Sequence, residues 1–109
     1  MSAPQAGRLR RRVTLEAPLD VADDMGGATR GWRLVAMLWA EIESLRGATR
    51  LAAGRLEQTI THRVMLRWRD DVTGAMRLRL GARVLLVHAA RDPDERRARL
   101  VLDCEEIAP

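Results

Sequence analysis

The side chains able to do acid–base, nucleophilic or metal chemistry here are few: His62, His88, Cys104 and scattered carboxylates. A transfer or hydrolytic reaction needs a nucleophile beside a base, and a zinc site needs several ligands at patterned spacing. No short spacing pairs the two histidines. Each lies in a stretch that reads as a strand, where a solitary His is structural. Cys104 alternates with Leu100 and Leu102, which places it on an apolar strand face as a buried, inert thiol. As the only cysteine it forms no internal disulfide and suggests no Cys-based metal site. The neighbours Asp23–Asp24 and Glu105–Glu106 point to opposite faces of a strand, so neither is an acid–base couple by itself. There is no P-loop, nucleophile elbow or dinucleotide fingerprint, and Gly26–Gly27 alone signals backbone freedom. The expectation is a non-enzymatic protein without catalytic residues, cofactor or metal.

Charge narrows the partners. All 19 basic side chains are Arg, and the formal net charge is +4. Arg8, Arg10, Arg11 and Arg12 account for that excess, because the remaining arginines equal the Asp and Glu in number. Residues 13–109 are therefore formally neutral and do not form a basic nucleic-acid platform by charge count. A small nucleic-acid-binding β-barrel is the alternative reading, since such modules combine a basic groove with aromatic stacking platforms. Only Trp32, Trp39 and Trp68 could stack, and Trp68 falls on the core side with Val64 and Leu66. The arginines at 63, 67 and 69, and at 77 and 79, also fit a solvated or ion-paired face. The N-terminus has no apolar h-region and no apolar run reaches transmembrane length, so a soluble chain made in a reducing cytoplasm is expected.

Alternation and turn residues supply the elements. Met1–Gly7 reads as a flexible terminus, followed by a single domain over residues 8–109. A first strand fits Arg8–Ala17. Pro18–Gly31, with three Asp and Gly26–Gly27, shows no periodicity and reads as a long loop. Trp32–Leu45 suits a long strand bent or bulged near Trp39–Ala40. Arg46–Gln58, rich in Ala, Leu, Arg and Glu, fits one short amphipathic helix, although Gly47 and Gly54 weaken it. Strands over Thr59–Trp68, Met76–Leu80, Arg83–Ala90 and Arg97–Ile107 follow, separated by turns at Asp70–Gly74 and Asp92–Glu95. The fold class is mainly β: a small barrel or sandwich of about six strands with one short helix and a long loop.

Gly81–Ala82 suits a type II′ hairpin. Leu80 then pairs with Arg83, Arg79 with Val84, Leu78 with Leu85 and Arg77 with Leu86. One face holds Leu78, Leu80, Leu85 and Val87 as core. The other holds Arg77, Arg79, Val84, Leu86 and His88, a mixture that protein–protein contacts favour. A strand face covered by the helix is the plainer alternative. Arg8, Arg10 and Arg12 share a face if the strand begins at Arg8, opposite Leu9, Arg11 and Val13. No acid lies within the first twelve residues, so this cluster either meets carboxylates or phosphates from elsewhere or remains a solvated arm.

The order of landmarks resembles the head-tail joining (connector, stopper or head completion) proteins of tailed bacteriophages, including their gene transfer agent and prophage versions. The resemblance runs from Gly7–Val13 through an acidic, Gly-containing loop to Trp32 and Leu38-Trp39-Ala40-Glu41-Ile42. It continues through Gly47 and Ala52–Ala53, Thr61-His62-Arg63-Val64, Arg67-Trp68-Arg69 and Met76-Arg77-Leu78 to Arg96–Cys104. It implies a virion structural protein of the neck, made in the bacterial cytoplasm. Copies would form a homo-oligomeric ring, sixfold or twelvefold, between the portal or adaptor and the tail terminator or tube, with no membrane contact. The loop 18–31 would project into the channel and help retain packaged DNA. Asp20, Asp23 and Asp24 would repel phosphate there, Gly26 and Gly27 would permit reshaping, and Arg30 would lie beside them. A loop with no such role is the alternative. Arg8, Arg10, Arg12, Arg77, Arg79, Val84 and Leu86 would contact neighbouring subunits or rings.

Overall fold

A computed structural model of the chain describes residues 9–22, 24–53 and 56–107, with only the course of the strands described over 46–53 and 56–58. The expected flexible terminus, Arg8 and Asp23 lie outside the described residues.

Period-two alternation organises the fold. Val13, Leu15 and Ala17 meet Val64, Leu66, Leu78, Leu85, Val87, Leu100, Leu102 and Cys104 in one buried cluster. These inward residues belong to six strands: β1 (Arg11–Ala22), β2 (Ala28–Ala53), β3 (Leu56–Arg67), β4 (Arg77–Leu80), β5 (Arg83–Arg91) and β6 (Arg99–Ile107). They close into an antiparallel barrel in the order β1-β2-β3-β6-β5-β4. With no Phe or Tyr in the chain, branched aliphatic side chains fill the interior. Closure also leaves the barrel wall without free edges.

The β4–β5 hairpin has the register the turn chemistry predicts, from Leu80↔Arg83 to Arg77↔Leu86. Gly81 takes φ +61 and Ala82 does not adopt a positive φ, as a type II′ turn requires.

Two expectations are overturned. Pro18–Gly31 is not a structureless loop: β1 runs to Ala22 and β2 begins at Ala28, paired in register down to Ala22↔Ala28. Pro18 misleads because proline normally interrupts a ladder. Here β4 pairs only with Thr14–Glu16, so beyond Glu16 one edge of β1 is open, and an open edge tolerates proline. Arg46–Gln58 is not a helix either, because β2 continues through it to Ala53 and pairs with β3 from Leu56. Pairing with β3 overrides the weak helical preference of Ala, Leu and Arg, which Gly47 and Gly54 already oppose.

The irregularities of β2 lie elsewhere than Trp39–Ala40. One is at Val35, passed over between Leu15↔Ala36 and Glu16↔Leu34. The other spans residues 45–48, opposite Thr61. β2 pairs with β1 up to Ala40 and with β3 from Glu41 onward. It changes partner there with no overlap. Its first half and the far half of β1 therefore form a two-stranded ribbon extending from the barrel, and the whole molecule measures 51 × 32 × 26 Å.

Candidate functional site

No residues converge as in an active site. Cys104 is fully buried, and burial, followed by the neighbouring Asp103 charge, pushes its thiol up to about 12. His62 is buried at one end of the barrel. The Arg83 guanidinium donates to its Nε2 at 3.3 Å; a guanidinium only donates, so the ring proton sits on Nδ1, 2.9 Å from the Thr61 hydroxyl. The same hydroxyl accepts from the Glu106 backbone N–H at 2.7 Å. Arg83 grips Glu106 with two bonds of 2.8 and 3.1 Å, holding that carboxyl below the usual range against the opposing effect of desolvation. His88 pairs with Glu105 at 2.9 Å. Among the described residues no group of three or more His, Cys, Asp or Glu is placed to hold a metal.

The outer wall is a set of cross-strand ion pairs. Arg77 donates to Glu16 at 2.6 Å and stacks on Trp32 at 4.1 Å, while Arg79 approaches the same carboxylate at 3.9 Å. Asp103 faces outward from β6 yet is buried, held by Arg91 and by Arg63 at 3.7 Å. Arg99 is buried likewise beside Asp94 at 3.3 Å. Sequence reasoning misses these buried charges, because they lie on the outward parity of their strand and only their neighbours' side chains cover them.

Arg77, Arg79, Val84 and Leu86 lie together on the outer face of the β4–β5 hairpin, as the alternation requires. Val84 is opposite Ile107 on β6, and Arg79 is opposite Thr14, which in turn faces Met37. The face is thus wider than the hairpin. Arg77 is committed internally to Glu16 and Trp32, whereas Arg79 is half-exposed. No helix covers this face among the described residues.

The β1–β2 ribbon is two-sided. Asp20 and Arg30 are opposite and paired at 3.3 Å on one side. Leu19 and Val21, which continue the inward parity of Val13–Ala17, lie exposed on the other. Gly31 sits opposite Leu19, where it adds no side chain to cover it. Asp24, Gly26 and Gly27 form the tip, with Gly26 at φ +81, and Met25 there is 91% exposed. The tip is therefore apolar as well as acidic, which the loop reading did not foresee.

At the other end of the ribbon, β2 and β3 part above Glu41↔Met65. A groove of about 290 Å³ opens there, lined by Leu9, Met37, Leu38, Trp39, Leu66, Arg67, Trp68 and Arg69. Trp39 and Met37 are each more than half exposed. Arg12 covers Trp39 at 5.0 Å and Arg97 covers Trp68 at 5.3 Å. All three tryptophans therefore carry an arginine on one face. Arg10 and Arg11 are exposed and line a shallow surface with Glu41 and Ile42.

A family model described as phage head completion protein matches residues 4–107. Among solved structures, a protein from Shigella flexneri 2a is 26% identical. The alignment covers 96% of this chain and 98% of that one, with a TM-score of 0.69. A chain in the virion of a native gene transfer agent particle shares the fold at 22% identity, with a TM-score of 0.67 and coverage of 92% and 96%. No curated protein matches the sequence.

Proposed function

The chain belongs to the phage head completion protein family, and from that premise we propose that it joins head to tail as a ring in the particle neck. It is a head-related structural protein of a phage or phage-like particle. The finer reading seats a homo-oligomeric ring between the portal or its adaptor and the tail, where it helps retain packaged DNA in the channel.

One observation carries this reading. The barrel buries its core, yet Leu34, Met37, Trp39 and Ile107 remain exposed around the half-exposed Arg79. Apolar side chains interleaved with arginine suit contacts between proteins. They do not suit a face meant for water or a closed catalytic pocket. The ribbon supplies the channel element: its polar side, with Asp20 and the acidic tip, would face phosphate and repel it.

Particles produced without this chain test the role. Heads and tails should accumulate unjoined, and packaged heads should lose DNA. Supplying the intact chain in trans should restore both. Joined, DNA-filled particles lacking the chain would overturn the reading.

A further inference from the structure

The ribbon carries unpartnered apolar surface at both ends, and the two ends are chemically complementary. Leu19, Val21 and Met25 form a protruding apolar tip with the carboxylates of Asp20 and Asp24 beside it. The Trp39 groove is concave and apolar, with Arg67 and Arg69 in its lining and Arg12 against Trp39. A knob with acids and a slot with arginines fit in shape class and in charge.

One copy cannot satisfy itself. Trp39 is paired opposite Arg12 and the tip lies beyond Ala22, so roughly 33 Å of paired strand, at about 3.3 Å per residue, separates groove from tip. The geometry points to head-to-tail contact between copies: the ribbon tip of one chain seats Leu19, Val21 and Met25 in the Trp39 groove of the next. Such a contact is heterologous, so repeating it gives a ring where the rotation closes and a filament where it does not. The inference rests on the ring reading and assigns the surfaces that make the ring. It also gives the two sides of the ribbon separate tasks, because the Asp20–Arg30 side stays uncovered.

Cross-linking of the full chain tests the contact. Met25→Cys and Met37→Cys are prepared separately; both positions are exposed and the native Cys104 is buried. The two proteins are mixed at a concentration where wild type self-associates, or co-assembled into particles, and treated with a short bis-maleimide. Mixed-site dimers should form at least about tenfold faster than same-site dimers, since docking raises the effective concentration of one pair only. Met25→Asp should abolish mixed cross-linking and self-association while circular dichroism shows the barrel intact. Rings that form without the mixed cross-link, or that survive Met25→Asp, overturn the docking and leave the joining role standing. Absence of self-association at every concentration and in particles overturns the docking and the ring together.

Discussion

Asp103 shows why the outer wall cannot be treated as ordinary surface. Its carboxylate is buried while its partners Arg63 and Arg91 are nearly half exposed, so the carboxylate is the group that loses most if the pairing fails. Arg63→Met or Arg91→Met alone leaves one guanidinium in place and should cost about 1–2 kcal/mol. The double substitution strands a buried charge and should cost about 3–5 kcal/mol, more than the singles combined. Adding Asp103→Asn to the double variant should recover part of that loss, which denaturant unfolding would measure. Glu106 sets an acid limit on stability. Because Arg83 holds its carboxyl below the ordinary value, the unfolded chain takes up a proton that the folded chain refuses. The stabilisation is complete above the ordinary carboxylate range and is lost as pH falls through the folded-state value. In thermal melts from neutral to acid pH, Glu106→Gln should lower stability at neutral pH and flatten this part of the acid decline.

At the level of elements, the β4–β5 hairpin was legible because Gly81 dictates the turn and the turn dictates every pair after it. The ribbon was not, because Pro18 and three aspartates outweigh Leu19 and Val21 in any reading by composition. The residues expected at the channel, apart from Asp23, do lie together at the tip. Trp39, Met37 and Leu34 were missed as surface, since outward parity is invisible until the Val35 irregularity is known. The hairpin face also needs finer dissection than its alternation suggests. Arg77→Glu would set a carboxylate against Glu16 and remove the guanidinium from Trp32. It should destabilise the fold by about 2 kcal/mol or more. Arg79→Glu sits half-exposed and should leave the melting temperature nearly unchanged while blocking joining; unimpaired joining would make that face plain surface. Replacing Val21–Thr29 with a two-residue Asn-Gly turn should likewise leave stability within about 1 kcal/mol, because the removed side chains lie outside the core and loop closure depends weakly on length. Particles carrying it should leak DNA, and full retention would remove the ribbon from the gate.

For the whole molecule, a mainly β architecture of six strands followed from alternation alone, whereas closure into a barrel did not. Closure depends on β4 finding β1 across Thr14–Glu16, a contact between strands distant in sequence that no local pattern announces. The 26 residues of β2 are the one element belonging to both the ribbon and the barrel, and this has a mechanical consequence. A load applied at the tip along β2 passes without interruption from its ladder with β1 to its ladder with β3. Ladder hydrogen bonds lie perpendicular to the strands, so such a pull shears many of them together and does not peel them apart one by one. Single-molecule stretching from residue 25 against residue 107 should therefore meet high resistance and give way in one step. Cutting the chain between Ala40 and Glu41, where β2 changes partner, should drop that resistance sharply. In a neck under internal pressure, β2 would serve as the tie rod of each subunit.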